Sequence, residues 1–346
     1  MRYAVLFLAL AGSISLLADT EDQVRRSIPV NSSTRLVLAA DWGAIRVQSG
    51  ATRSAEVEVY FRGDPRSRAE FDRMMRDFAL EVSQLGADIR VNGRFKDGWK
   101  PGPLGGSLWG FFSGWSGRGP CRNGKCLEFT WLRQVEYRVS LPREFNVDLS
   151  TSSGSIAVGD LKGEVDARTS GGGLDFGRID GPVRGNTSGG GISLAGGRGK
   201  AILHTSGGGI RIEDVAGEVV AETSGGSVQV NRATGRVSAH TSGGSITIRD
   251  TTGPVDASTS GGSVTARLSA QPKEPSRLST SGGSINVELA GNLRVEVDAA
   301  TSGGSVSSDF PVPTSGDRHS LRAAINGGGP LLHLRTSGGG IHIQKR

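Results

Sequence analysis

Residues Thr205-Ser206-Gly207-Gly208-Gly209-Ile210-Arg211-Ile212 are matched eighteen positions later by Thr223-Ser224-Gly225-Gly226-Ser227-Val228-Gln229-Val230, and again by Thr241-Ser242-Gly243-Gly244-Ser245-Ile246-Thr247-Ile248. The same step runs back through Thr187 and Thr169 to a variant, Thr151-Ser152-Ser153-Gly154, and forward to Thr259. Two steps of 21 then reach Thr280 and Thr301. A degenerate Asn326-Gly327-Gly328-Gly329 follows, and Thr336-Ser337-Gly338-Gly339 closes the series. Equal steps of this length signal a solenoid, because one unit is too short to bury its own apolar face and must stack on its neighbours.

Counting the Thr as zero, position 5 carries Ile156, Leu174, Ile192, Ile210, Val228, Ile246 and Val264, and position 7 carries Val158, Phe176, Leu194, Ile212, Val230 and Ile248. Position 12 is Gly from Gly163 through Gly253, position 14 is Val or Ala, and position 16 is small or apolar. Spacing of two is the strand period. The unit therefore reads as two short strands, each with one apolar and one wet face. The expected fold is all-β: a parallel β-solenoid of two-strand, 18-residue coils, identical positions stacking at about 4.8 Å. About ten coils would make a rod of roughly 45–50 Å. The Thr should point inward at the corner, where a ladder of Thr and Ser hydroxyls would satisfy one another and the turn amides. Gly at positions 2, 3 and 12 should supply left-handed turn dihedrals. A meander of hairpins with the same period would give no reason for like residues at each position.

Composition agrees. Of 346 residues 54 are Gly, yet 36% are hydrophobic and only 13 are Pro, which excludes both a disordered chain and collagen. The net charge of +6 is spread as an excess of four in residues 1–150 and two in 151–346. A nucleic-acid binder concentrates such charge on one face, so nucleic acid is not an expected partner.

Outside the repeat, Met1-Arg2 followed by the apolar run Tyr3–Leu17 reads as a secretory signal peptide, residues 1–18, cleaved after Ala18 or alternatively after Ser13. Fifteen apolar residues are short for a membrane span, and no second such run exists. Residues 19–150 read as a β-rich cap region. Alternating stretches at 35–38, 44–47, 55–60, 87–91, 127–132 and 135–139 predict strands, and a helix is expected over 65–80, with Asp64 as its cap and Phe71, Met74, Met75 and Phe78 as its apolar stripe. Residues 97–120 read as a flexible Gly/Trp loop. Its Trp109, Phe111, Phe112 and Trp115 are candidate contacts with a partner or lipid surface, or else a lid over the solenoid end. Just beyond it, Asn123-Gly124 predicts a two-residue hairpin that places Cys121 opposite Cys126, within reach of a disulfide. At the far end, 331–334 and 341–343 read as closing strands, with Lys345 and Arg346 placing charge on an otherwise exposed edge.

No catalytic, cofactor or metal site is expected. The repeated Ser has no His and acid recurring with it. The calcium β-roll needs Asp where Phe176, Ile212, Val230 and Ile248 stand. His204 and His240 lie two coils apart, too far to share a metal, and no Gly-Lys-Ser/Thr phosphate loop occurs.

The Thr-Ser-Gly-Gly-Ser/Gly-Ile/Val coils, the entry Val139-Ser140-Leu141-Pro142-Arg143-Glu144-Phe145 and the ending Ile325-Asn326-Gly327-Gly328-Gly329 resemble a bacterial family named "putative adhesins", a domain of unknown function with β-strand repeats. That resemblance covers residues 28–346 and implies adhesion, with no catalytic residues to carry over; some members are associated with envelope stress. The expectation is a non-enzymatic exported β-solenoid, periplasmic or at the cell surface, binding an envelope or extracellular protein, glycan or lipid surface. The alternatives are an envelope-stress sensor or scaffold touching lipid or peptide through the aromatic loop, and a glycan-active enzyme.

Overall fold

The computed structural model describes residues 20–30, 34–63, 68–85, 88–95, 121–122, 125–126, 132–312 and 317–346. The signal-peptide reading, the Asp64 cap, the strand expected at 127–131 and the loop 97–120, with Trp109, Phe111, Phe112 and Trp115, lie outside the described residues.

The chain forms the expected parallel β-solenoid, built as two long facing sheets. In the first sheet Ile156–Val158, Leu174–Asp180, Ile192–Arg198, Ile210–Ala216, Val228–Ala233 and Ile246–Thr251 lie side by side in sequence order. In the second, Val165–Thr169, Val183–Thr187, Ala201–Thr205, Val219–Thr223 and Val237–Thr241 do the same. Every pairing is parallel and in register with the repeat: Ile192 on Ile210 on Val228, Val219 on Val237, Thr205 on Thr223. The apolar columns face inward and are essentially inaccessible, Ile210 at 2% and Ile212 at 0%. Alternate residues face out, so the two inner faces form one continuous core.

The corner chemistry differs from expectation in two respects. The Thr column is buried, but the hydroxyls do not bond one another. Thr205 Oγ1 donates to the Gly190 carbonyl of the preceding coil at 2.7 Å and accepts the Gly208 amide of its own turn at 3.3 Å. The pattern repeats from Thr169 to Thr280. Threonine has one donor and two lone pairs, so a single side chain serves both coils. The Ser at position 1 points outward instead. The glycines at positions 2 and 3 do not adopt positive φ; at position 12 only Gly163 and Gly199 do. What demands Gly at position 3 is proximity: a Cβ on Gly208 would overlap the Gly190 carbonyl, whereas one on Gly207 would sit 3.1 Å from the Gly189 oxygen. Where position 4 is Ser, a second ladder forms, the Ser245 and Ser263 amides donating to the hydroxyls of Ser227 and Ser245.

The stack continues below Thr151. Arg35–Ala40 and Ala44–Gly50 form a coil directly under Asn146–Thr151 and Ile156–Val158, with Leu38 on Leu149 and Ile45 on Ile156. Under that coil lie Asp88–Phe95 and Leu132–Pro142. The earlier segment is thus sandwiched between two later ones. Antiparallel strands finish this end: Ser54–Gly63 then Thr20–Pro29 on one sheet, Phe78–Leu85 on the other. The helix spans Arg68–Asp77, with Phe71 and Met74 buried. It stops short of residue 80 because Phe78, Leu80 and Val82 keep a period of two and pair with Asp88–Phe95. Phe78 meets Phe61 edge to face, centroids 4.8 Å apart, and so joins the two sheets.

The far end also departs from chain order. Leu331–Thr336 and Ile341–Lys345 are not closing strands. They lie between the coil Ser276–Thr280/Ile285–Leu289 and the coil Val295–Thr301/Val306–Ser308. The outermost strand of the second sheet is Ser320–Ile325, antiparallel to Val295–Thr301, and that of the first is Val306–Ser308. Lys345 therefore guards no free edge: its amide donates to Asp309 Oδ2 at 3.2 Å, and its ammonium lies 5.9 Å over the Phe310 ring. Asn326-Gly327-Gly328-Gly329 is not a repeat turn either. It reverses the chain, with positive φ at Asn326, Gly327 and Gly328.

Candidate functional site

Alternation about the buried Thr column shapes an open concavity along the repeat. The residue before each Thr and the Ser after it both point outward. Stacked, they line an open groove running along one corner: Asn186, His204, Glu222, His240 and Ser258 on one wall, Ser188, Ser206, Ser224 and Ser242 on the other. A second concavity on the same corner is lined by Ser279 and Ser281, by Arg335 and Ser337 of the intercalated coil, and by Ala300 and Ser302.

Groups in neighbouring coils meet across the wall. His204 Nδ1 lies 3.1 Å from Glu222 Oε2. His240 Nδ1 is 2.6 Å from Ser258 Oγ, and its Nε2 is 3.0 Å from Ser238 Oγ. Arg335 is fixed at the far end, Nη2 to Asp298 Oδ2 at 2.5 Å and Nη1 to the Asp298 carbonyl at 2.7 Å. Burial disfavours the ionised Asp298 carboxyl, but Arg335 and Arg322 outweigh it and hold its pKa below the usual range. Beside them His333 is pushed down, first by burial and then by Arg335 and Arg277.

The serine and imidazole contact invites comparison with a hydrolase. Both His240 nitrogens, however, face hydroxyls, and no carboxylate orients the ring as a triad requires. Among the described residues no three His, Cys, Asp or Glu side chains come together as metal ligands. The groove instead offers hydrogen-bond donors and acceptors from each of several successive coils. The sequence reading put His204 and His240 on the surface without seeing the groove. The signal available was the polar residue on each side of every inward Thr.

Of the expected site residues, Trp109, Phe111, Phe112 and Trp115 lie outside the described residues. Cys121 and Cys126 face each other in a short antiparallel ladder, with Arg122 opposite Lys125, as the Asn-Gly spacing predicts. No helix among the described residues is long and apolar enough to cross a membrane.

No family model matches the chain, and no curated protein matches it. Three solved structures align along most of it. One is described as a "putative adhesin" from Bacteroides fragilis, at 12% identity over 94% of this chain and 97% of that one, with a TM-score of 0.32. Another is described as a "putative lipid binding protein" from Parabacteroides distasonis, at 13% identity over 93% and 96%, TM-score 0.33. A third, a "putative cell adhesion protein" from Clostridium sporogenes, aligns at 10% identity over 94% and 100%, TM-score 0.20. Similarity at this level assigns neither ligand nor activity to this chain.

Proposed function

We propose that this protein is a non-enzymatic, exported β-solenoid scaffold that binds an extended envelope or extracellular partner along its corner groove. The observation that carries the reading is that two polar concavities follow one another along the same corner. Their lining residues come from eight stacked coils, Asn186 to Ser302, or roughly 34 Å at a ~4.8 Å strand spacing. Their polar lining, with few net charges, suits a hydroxyl- or amide-rich chain bound by many weak hydrogen bonds. Export rests on the Tyr3–Leu17 run and on the Cys121/Cys126 register, which suits a disulfide in an oxidising compartment.

The test is co-sedimentation of the purified protein with insoluble envelope polysaccharides and extracellular matrix. The variant His204→Ala/Glu222→Ala/His240→Ala serves as control. Retention of the wild type, at least tenfold weaker retention of the variant and no release of soluble fragments are expected. Equal retention of both proteins would remove the groove from the reading, and turnover would remove the non-enzymatic part.

A further inference from the structure

The coil formed by residues 331–346 comes latest in chain order among the described coils, yet it occupies an interior position. Below it, Leu332, Leu334 and Thr336 stack on Ser276, Leu278 and Thr280, and Ile341 and Ile343 on Ile285 and Val287. Above it, the same residues carry Val297, Ala299 and Thr301, and Val306 and Ser308. The corner bonds follow this spatial order: Thr336 Oγ1 donates to Gly283 O and Thr301 Oγ1 to Gly339 O, both at 2.7 Å. Leu332, Leu334, Ile341 and Ile343 are at most 1% accessible.

Residues 295–308 touch the rest of the stack through this coil. Val306–Ser308 has Ile341–Lys345 as its one sheet partner, and Val295–Thr301 has Leu331–Thr336 besides the outer strand Ser320–Ile325. Until residues 331–346 exist, the 276–289 coil presents a bare parallel edge, and 295–325 has no sheet to join. Stacking Thr301 directly on Thr280, as the 21-residue step suggests, would fill the place that the last coil takes.

We infer that residues 331–346 form a separable closing coil: the preceding stack folds without it and leaves a strand-accepting slot, which this segment fills last and also fills when supplied as a separate peptide. The turn at Asn326–Gly329 joins it to Ile325 with no regular structure of its own, consistent with independent insertion. The slot's specificity is the Leu-x-Leu-x-Thr and Ile-x-Ile register against 276–289, and once seated the coil offers Arg335 to Asp298 of the strand that docks on it.

Hydrogen exchange on the chain ending at Pro330, with and without a synthetic 331–346 peptide, tests this. Coils 151–268 should stay protected, 295–325 should exchange freely, and peptide should restore protection there and along 276–289. A peptide with Leu334→Asp should fail. In the full-length chain, Leu334→Asp should expose 276–346 and leave 151–268 protected, which covers a truncated chain that does not accumulate. Retained protection of 295–325 in the truncated chain would overturn the inference, showing direct stacking on 276–289. Loss of protection along the whole stack, or failure of the wild-type peptide to restore it, would overturn it too.

Discussion

The stack from Thr151 to Leu268 and the two ends flanking it use the same materials and obey different rules. In the middle, chain order and spatial order coincide. Each coil meets the next through the same Thr-to-Gly carbonyl bond, the same overlap-limited Gly and the same aliphatic pair. At the ends an earlier segment is sandwiched by later ones (Ala44–Gly50 between Leu132–Pro142 and Ile156–Val158), or a later one is inserted among earlier ones (Ile341–Lys345). Antiparallel strands then finish both sheets at one end and the second sheet at the other. A bare parallel edge is a hazard for aggregation, and a repeat that only continued would always leave one. At the far end the reordered coils let an antiparallel strand cover the second sheet, while the first ends on the three-residue strand Val306–Ser308.

The largest expected effect separates the two regions. Ile210→Asp buries an unpaired carboxylate in the middle of the stack and should cost several kcal/mol, seen as a large fall in melting temperature for the whole protein. Ile343→Asp should instead release protection only beyond residue 276. An unchanged melting temperature for the first, or global unfolding for the second, would erase the distinction.

A smaller effect tests the reason for glycine. Gly208→Ala drives a methyl into the Gly190 carbonyl and should cost about 1–3 kcal/mol by overpacking. Gly50→Ala, whose Cβ would meet nothing within 4 Å, should be nearly neutral by chemical denaturation. Equal costs would return the argument to backbone dihedrals.

Next comes the corner bond. Thr223→Val leaves the Gly208 carbonyl and the Gly226 amide without their shared hydroxyl and should cost about 1–3 kcal/mol. Ser224→Ala, in the exposed column beside it, should change stability by less than about 0.5 kcal/mol.

The smallest effect is a pair of opposite pH responses. Asp166, in the regular stack, has its pKa raised by burial in spite of Arg168. Stability is then undiminished below the unfolded value near 3.9 and falls as pH rises through the folded value, so Asp166→Asn should gain on the wild type between pH 3 and pH 6. Asp298, at the end, is held low by Arg335 and Arg322 against its burial. Its contribution is present above the unfolded value and lost as pH falls through the folded one. Asp298→Asn should therefore destabilise at pH 6 and not at pH 2, by about 0–1 kcal/mol for a surface pair. Thermal melts across that range decide both signs.

How much of this was readable beforehand divides along the same line. The register of Ile192, Ile210 and Val228 was legible because an equal step leaves one stacking that keeps like on like. The inward Thr and its bond from the turn amide were legible, but its acceptor was not: the hydroxyl reaches a Gly carbonyl in the coil below, a distance that no single repeat encodes. The groove followed from residues that alternation had already placed outside, and became visible only once eight coils stood in order.

The amino-acid sequence alone determined the coil: its length, its two strands, its apolar columns and its direction of stacking, since a strict period leaves apolar side chains only one shared interior. It did not determine the order of coils at either end. Thr280, Thr301 and Thr336 carry the same local signal, and any of them can sit on any other. Tertiary structure chose among them, because the observed order lets the antiparallel strand Ser320–Ile325 cover the edge of the second sheet and leaves only the short Val306–Ser308 at the edge of the first.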